Sequence, residues 1–244
     1  MQNYLIISAS SDIGFLTAKN LVLQGKNIFI TAQNSEKLEQ LKSELNCNGA
    51  VLNAADFAAT QDVFEQAVVS LGSLDGVVNF AGSVILKLAH LTSFDEYQKT
   101  IESNLTTAFS TVRAAAKSLK NGGSVVLISS AAAMQGISNH EAIASAKGGI
   151  ISLAKSAAAT YAAQNIRFNV VAPGLIETKL TQKITSNETA LKASNAMHAL
   201  GRIGKASDVS AMVEFLLSDK ANFITGQVIA VDGGLSNLQP KIKA

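Results

Sequence analysis

Short apolar runs rich in β-branched residues recur along the chain, separated by longer stretches with helical periodicity. Apolar runs of about four to eight residues indicate buried strands, and apolar positions three or four apart indicate amphipathic helices. Strands are predicted at 4–8, 27–32, 50–54, 76–80, 124–129, 167–172 and 228–232. Helices are predicted at 13–24, 35–45, 60–71, 94–119, 139–163 and 206–218.

This alternation of strands and helices indicates an α/β fold. Strands that are apolar on both faces predict a mostly parallel sheet covered by helices on both sides. With right-handed crossovers, the 244 residues are expected to form a single doubly wound, Rossmann-type domain with a seven-stranded sheet. The more polar stretch 174–204 interrupts the pattern. Ligands bind beyond the carboxyl ends of such strands, so this stretch is predicted to be a substrate-side lid.

Composition and charge narrow the classes of function. Twenty Lys and Arg residues against eighteen Asp and Glu give a net charge of +2, without a run of like charges. This argues against nucleic-acid binding. No apolar run is long enough to cross a bilayer, the N-terminus lacks a secretory pattern, and Cys47 is the single cysteine. We expect a cytoplasmic protein that binds a small molecule and neither nucleic acid nor a membrane, with no metal site.

A turn of small residues, 8–14 (SASSDIG), joins the first predicted strand to the first helix. Such a turn lets backbone amides approach a pyrophosphate at the helix N-terminus. Only Gly14 remains of a possible glycine trio, since Ser8 and Asp12 occupy the other two places. Asp12 is interpreted either as the N-cap of the helix or as a direct ligand contact.

Taken together, the motifs resemble those of the short-chain dehydrogenase/reductase family. The family's opening Thr-Gly-x-x-x-Gly-x-Gly reads ISASSDIG at 7–14. Further matches, in the family's order, are Asp56, Asn79-Phe80-Ala81-Gly82, Asn104, Ser129-Ser130, Lys147, Pro173-Gly174 with Thr178, and 224–234 (ITGQVIAVDGG). The resemblance covers about residues 4–235. It implies hydride transfer between a nicotinamide cofactor and a carbonyl or alcohol carbon.

The resemblance also implies where a dinucleotide binds. After the second strand, Gln33 stands where many NADP-using relatives carry Arg, and Thr31, Asn34, Ser35 and Lys37 lie near enough to meet a phosphate. The expected cofactor is NADP or NAD, with NADP preferred. The cofactor-binding residues are expected to be Ser8, Ser10, Ser11, Ile13, Gln33, Asp56, Phe57, Asn79, Ala81, Gly82, Lys147, Pro173, Gly174, Ile176 and Thr178.

The family's catalytic set is incomplete in this chain. The family uses Tyr-x-x-x-Lys on a helix, with a serine at the end of the preceding strand. Lys147 matches the lysine, but Ile143 stands in the tyrosine's place. Ser130 has the family's serine spacing, and Asn104 matches its catalytic asparagine. Lys147 is implied to bind the nicotinamide ribose.

His140 is the candidate replacement for the missing tyrosine. It stands seven residues before Lys147, on nearly the same helical face, where the related enoyl-acyl-carrier-protein reductases carry their tyrosine. Ser138-x-x-Glu141 has the pattern of a capping box, which places His140 in the first helical turn. The helix dipole there favours a neutral imidazole, which can donate one hydrogen bond to an oxyanion. The alternative is a solvent-exposed histidine at the helix start.

Two classes of function remain open. One is an oxidoreductase for a small, largely apolar carbonyl, alcohol or enoyl substrate, with pocket walls from 83–91, 175–197, Met134 and Ile143. The other is a catalytically impaired relative that binds a dinucleotide for regulation or structure. The retained Asn104, Ser130 and Lys147 favour the enzyme. Ala-rich faces on 94–119 and 139–163 predict a homo-oligomer, either a tetramer or a dimer.

Overall fold

Seven parallel strands form one sheet at the centre of the computed structural model, which describes residues 2–239. Two further strands, β7 and β8, pair with each other outside it. The strands are β1 (Asn3–Ile7), β2 (Asn27–Ala32), β3 (Asn48–Val51), β4 (Gly76–Asn79), β5 (Gly123–Ile128), β6 (Ile166–Pro173), β7 (Ile176–Glu177), β8 (Gly204–Lys205) and β9 (Val228–Val231).

Helices cover both faces of the sheet. The helices are α1 (Asp12–Leu23), α2 (Ser35–Leu45), α3 (Phe57–Leu71), α4 (Phe94–Ile101), α5 (Thr107–Ser118), α6 (Glu141–Tyr161), α7 (Gln182–Thr185), α8 (Glu188–Met197) and α9 (Ala206–Leu217). Buried apolar residues of α1, α2 and α9 pack on one face of the sheet, and those of α3, α5 and α6 pack on the other. Within residues 2–239, every helix is too short or too polar to cross a membrane.

The strand order places a ligand crevice at the middle of the sheet. The order is β3-β2-β1-β4-β5-β6-β9, with all neighbours parallel. From β1, the next two strands, β2 and β3, are added on one side of the sheet. β4 then pairs with the other side of β1, and the remaining strands are added beyond β4. At such a switch point the loops after adjacent strands diverge, which leaves a crevice at the carboxyl ends. The predicted doubly wound α/β fold is therefore confirmed.

Two predicted elements differ from the structure by three residues at one end, and most of the others match it to within two residues. The third strand spans Asn48–Val51 rather than 50–54, because an edge strand that pairs only with β2 and is half-exposed lacks a strong apolar signal. The predicted helix 60–71 begins earlier, at Phe57. Asp56 caps it by accepting hydrogen bonds from the amides of Ala58 and Ala59.

The predicted helix 94–119 contains a π-helical turn. This turn, Glu102–Thr106, separates α4 from α5 and carries the buried Asn104 at its centre. Single π turns inside α-helices frequently occur at functional sites. Sequence periodicity cannot reveal such a turn, since it adds one residue to an otherwise continuous helical pattern.

The lid segment (174–204) lies between β6 and α9 and contains β7, α7 and α8. β7 pairs with β8 through two residue pairs, Ile176 with Gly204 and Glu177 with Lys205. These short elements were not predicted individually, because strands of two residues and a helix of four give no usable periodicity. The segment lies at the carboxyl end of β6, at the edge of the sheet where the crevice opens.

Candidate active site

A cleft of about 350 Å³ opens between the carboxyl ends of β1, β4, β5 and β6 and the lid segment. Its walls are mostly apolar, and the apolar lining includes Phe80, Val84, Leu86, Ile137, Ile143, Leu175, Ile176, Leu180, Ile184 and Met197. The predicted walls from 83–91 and 175–197 are therefore present, and Ile143 is among the lining residues. Met134 was predicted as a wall residue but does not line the cleft, since its side chain at the protein surface is 36% exposed.

The turn after β1 has the tight geometry that its small residues predict. Ser8 adopts a φ of 59°, in the left-handed region that favours glycine, at the place of the family's first glycine. Gly14 has no room for a side chain, because a Cβ there would lie 2.7 Å from both the Ser8 carbonyl oxygen and Ser11 Oγ. Ser11 is the N-cap of α1, and its Oγ accepts a hydrogen bond from the Gly14 amide.

Asp12 is not the N-cap of α1, which was one of the two roles predicted for it. It is the first residue of α1, because Ser11 already provides the cap. Its Oδ2 accepts a hydrogen bond of 2.6 Å from the backbone amide of Lys179 in the lid segment. The carboxylate is thus held by the protein itself, beside the helix N-terminus.

Lys147 is buried at the base of the cleft, with 8% of its surface exposed. Its ammonium donates to the carbonyl oxygen of Ile128 at 2.9 Å. Burial lowers the pKa of Lys147 to about 8, because the charged form loses water without gaining a carboxylate partner. Ser129 helps to position α6, since its hydroxyl donates to the Lys147 carbonyl at 2.8 Å. The lysine keeps donor capacity for a ligand.

Asn104 supports the loop after β4 from below rather than lining the cleft. Its Nδ2 donates to the Thr100 carbonyl at 2.9 Å, and its Oδ1 accepts from the Ser83 amide at 3.3 Å. Gly82 passes directly over it: a Cβ on Gly82 would lie 2.9 Å from Asn104 Oδ1 and 3.3 Å from Lys147 Nζ. The backbone here must be free of side chain for the asparagine and lysine to lie this close to it.

Ser130 lies at the end of β5, on the cleft wall. Its hydroxyl oxygen accepts a hydrogen bond from the Ala132 amide at 3.2 Å. The hydroxyl proton remains available for an oxygen atom of a bound molecule.

The predicted capping box at 138–141 is wrong. Asn139 adopts a left-handed φ of 65°, which turns the chain so that α6 begins at Glu141 with His140 as its N-cap residue. Ser138 therefore lies outside the helix. Its carbonyl oxygen is 2.7 Å from Nδ1 of His140. Because a carbonyl can only accept, Nδ1 carries the proton, and the neutral imidazole leaves Nε2 as an acceptor.

His140 and Ile143 both line the cleft. His140 is half-buried, whereas Ile143 is 4% exposed and lies one helical turn from Lys147. The prediction that a neutral His140 donates to an oxyanion needs correction, since its one N–H already binds Ser138. Its Nε2 can instead accept a proton, or donate one when the ring is protonated.

Most of the predicted site residues meet at the cleft, but six lie outside its lining. Those that line it are Ser10, Ser11, Ile13, Ala81, Gly82, Ser130, His140, Lys147, Pro173, Gly174, Ile176 and Thr178. Those outside the lining are Ser8, Gln33, Asp56, Phe57, Asn79 and Asn104. Asn79 is structural, since it accepts from the Ala81 amide and donates to Thr111 Oγ1.

The segment after β2 offers fewer phosphate contacts than expected. Thr31 is buried, and its hydroxyl oxygen accepts from the Ser8 amide at 3.0 Å. Asn34 caps α2, with its Oδ1 accepting from the Lys37 amide. Gln33 and Ser35 are exposed beside them. Thr31 is therefore excluded by burial, whereas the side chains of Gln33, Ser35 and Lys37 and the Nδ2 donor of Asn34 have no hydrogen-bond partner among the described residues.

Lid residue His198 was missed by the sequence analysis, as was the contact of Asp12. His198 is 3% exposed, and its Nδ1 lies 2.7 Å from the Ser194 carbonyl oxygen. Its Nε2 accepts from the Leu175 amide at 3.3 Å. No local sequence pattern could have indicated the role of His198. For Asp12, the sequence did contain a signal, since a carboxylate stands where the family has a glycine.

The residues present fit a dinucleotide. Among the described residues, the amides of Asp12 and Ile13 in the first turn of α1 have no acceptor, and both residues line the cleft. Such amides, together with the helix dipole, bind phosphate. Gly82 leaves an open backbone surface, and the Lys147 ammonium beside it can donate to ribose hydroxyls.

Comparisons with known proteins identify the family. The family model described as "Enoyl-(Acyl carrier protein) reductase" matches residues 7–236. The 3-oxoacyl-(acyl-carrier-protein) reductase FabG of Salmonella typhimurium is 33% identical over 235 residues, which cover 95% of this chain and 96% of that protein. The short-chain dehydrogenase/reductase aba4 of Botryotinia fuckeliana is 32% identical over 244 residues, which cover 94% of each chain.

Solved structures share the fold over nearly the whole chain. A short-chain type dehydrogenase/reductase from Mycobacterium ulcerans superposes with a TM-score of 0.92 at 30% identity, covering 98% of this chain and 91% of that one. A variant of actinorhodin polyketide ketoreductase with NADPH gives a TM-score of 0.90 at 25% identity, covering 97% and 98%. The chain therefore belongs to the short-chain dehydrogenase/reductase family of NAD(P)-dependent oxidoreductases.

Proposed function

We propose that this protein is an oxidoreductase that uses NADP in preference to NAD and acts on a small, largely apolar carbonyl or alcohol. The observation that carries the proposal is the convergence of Ser130, Lys147 and His140 on one apolar cleft beside the N-terminus of α1. The relatives named as 3-oxoacyl reductase and ketoreductase favour a carbonyl over an enoyl group.

Each polar residue has a defined task in this proposal. A bound NAD(P) supplies or accepts the hydride. Lys147 binds the nicotinamide ribose with the N–H groups that Ile128 does not use. Ser130 donates its hydroxyl proton to the substrate oxygen and so orients the carbonyl carbon. Asn104 fixes the backbone of the 81–83 loop next to Lys147, where the dinucleotide would bind.

His140 is proposed to move the proton that tyrosine moves in other members of the family. Its Nε2 accepts the alcohol proton during oxidation. The protonated ring donates a proton to the substrate oxygen during reduction, while Nδ1–H stays on the Ser138 carbonyl and fixes the ring.

A rescue experiment tests this role. His140→Ala should lower kcat for reduction of an acetoacetyl thioester by about 10²–10⁴-fold, while the Kd for NADPH changes less than about twofold. Adding Ile143→Tyr to His140→Ala should restore turnover, because position 143 lines the cleft one turn from Lys147. Unchanged turnover in His140→Ala would show that another group moves the proton. Binding of NADPH without turnover of any substrate would favour the catalytically impaired alternative.

We also propose that the protein is a homo-oligomer, although not through the surface first predicted. The Ala-rich faces of α5 and α6 are buried inside the protomer, among them Ala114, Ala115, Ala154 and Ala157. The exposed apolar side chains of α4 and α5 are instead Phe94, Tyr97 and Phe109, which are 70%, 44% and 49% exposed. Light scattering at micromolar concentration should give a dimer or tetramer, and a monomer would contradict the proposal.

A further inference from the structure

Asp12 connects the phosphate-binding turn to the lid segment. Its carboxylate extends from the first residue of α1 to the Lys179 amide, 167 positions along the chain, at 2.6 Å. The family's second glycine would stand at this place and could not make the contact. An acidic side chain beside a phosphate site is electrostatically unfavourable, so the hydrogen bond to the lid offers a reason for its presence.

The same short segment is also held at its other end. Nε2 of His198 accepts from the Leu175 amide, and a Cβ on Gly174 would lie 2.6 Å from that nitrogen. Between these two anchors lie Ile176 and Thr178, which line the cleft. Only two residue pairs join β7 to β8, so the backbone of 175–179 has few ladder contacts of its own. Thr181, through its hydroxyl, also hydrogen-bonds to Ile176 and Thr178, and the Gly204 amide donates to the Leu175 carbonyl. Asp12 is thus the acceptor that ties the Lys179 end of this segment to α1.

We propose that Asp12 is a positioning residue that fixes the lid segment over the cleft and thereby couples dinucleotide binding to substrate binding. This inference rests on the proposed function, in which the dinucleotide phosphates bind at the N-terminus of α1. The carboxylate has two opposing effects. Its oxygen holds the Lys179 amide and closes the substrate side, whereas its negative charge weakens binding of the diphosphate.

Two substitutions separate the charge from the hydrogen bond. Asp12→Asn keeps a side-chain oxygen for Lys179 but removes the charge, and Asp12→Gly removes both. Both variants should tighten NADPH binding by about three- to tenfold, because the repulsion between carboxylate and diphosphate is lost. Only Asp12→Gly should raise the KM for the carbonyl substrate, by about tenfold or more, because it alone removes the hydrogen bond to the lid.

Hydrogen exchange gives a readout that is independent of turnover. In the dinucleotide-free protein, the Lys179 amide should exchange about tenfold or more faster in Asp12→Gly than in the wild type. In Asp12→Asn it should stay protected. Amides of β2, such as Ile30, serve as internal controls for global unfolding.

Equal exchange of the Lys179 amide in all three proteins would overturn the proposal, as would a loss of protection in Asp12→Asn equal to that in Asp12→Gly. An unchanged KM in Asp12→Gly would also overturn it. If the wild type fails to turn over NADPH, the proposed function fails, but the exchange experiment still decides whether Asp12 holds the lid segment.

Discussion

At the scale of single residues, Lys147 is a functional group whose burial lowers the stability of the folded protein. Its ammonium is buried, with a carbonyl oxygen as its hydrogen-bond partner in the cleft, and burial lowers its pKa to about 8. A buried cation without a carboxylate is destabilising by itself. Proteins commonly retain such a group where function requires it, at the expense of stability.

This cost predicts how stability depends on pH. Between pH 8 and 10.5 the unfolded chain keeps a proton on this lysine that the folded protein has released, so the free energy of unfolding rises with pH across that window. Lys147→Met should raise the free energy of unfolding by about 1–2 kcal/mol at pH 7, because the buried charge is removed while one hydrogen bond is lost. Urea denaturation of the dinucleotide-free protein measures this gain.

The gain should shrink as the pH approaches 10, when the wild-type lysine is neutral in the folded state. Lys155→Met is the matched control, since Lys155 is exposed on the same helix, α6. This control should show neither the gain nor its pH dependence. If the free energies of unfolding of the wild type and Lys147→Met differ by the same amount from pH 7 to 10, protonation of Lys147 is not coupled to folding as predicted.

Gln33 is the residue at which cofactor preference is predicted to be decided. It is exposed at the end of β2, and its neighbours Thr31 and Asn34 use their side-chain oxygens within the protein. Gln33→Arg should lower the Kd for NADPH about tenfold relative to NADH, because a guanidinium pairs with the 2′-phosphate. Gln33→Asp should shift the ratio the other way. Fluorescence titration of both nucleotides measures the ratio, and no shift in either variant would place the 2′-phosphate elsewhere.

The location of a residue was predictable where the residue belongs to a local motif. Ser130 and Lys147 lie on the cleft, because strand ends and helical spacing determine their positions. Residue-level prediction failed for Asp12 and His198, whose partners come from the lid segment and depend on tertiary structure. It also misassigned the N-terminus of α6, where the left-handed Asn139 overrode the capping pattern.

At the scale of elements, the π-helical turn between α4 and α5 places Asn104 under the loop after β4. The asparagine side chain donates to the Thr100 carbonyl and accepts from the Ser83 amide, which has no other acceptor among the described residues. The periodicity of 94–119 was sufficient to predict a helix there. It could not predict the extra residue of the π turn. The lid elements escaped prediction because they are short and polar.

Asn104→Ala should lower the free energy of unfolding by about 1–3 kcal/mol, since it leaves buried polar partners unsatisfied. Ser110→Ala is the matched control on the following helix, because Ser110 Oγ is buried without a hydrogen-bond partner among the described residues. That substitution should be neutral or slightly stabilising. Urea denaturation compares the two, and equal effects would show that the hydrogen bonds of Asn104 do not support the turn.

At the scale of the whole molecule, the strand order explains why the functional residues converge. β1 and β4 are adjacent in the sheet although 73 positions separate Ile7 from Phe80 along the chain, and Phe80 donates its amide to the Ile7 carbonyl. The turn before α1, the 81–83 loop and the end of β5 therefore open on the same edge. The apolar strand pattern was sufficient to predict this architecture, since right-handed crossovers leave few alternatives.

The most direct test of the account is the transfer of deuterium from nicotinamide to substrate. The wild type is incubated with NADPH deuterated at C4, in each of its two stereochemical forms, together with an acetoacetyl thioester, a 2-alkanone and an aliphatic aldehyde. The account predicts that one form delivers deuterium to the former carbonyl carbon of a product, as detected by mass spectrometry. If NADPH binds but neither form labels any product, the cleft holds a nucleotide without transferring hydride, and the account is wrong.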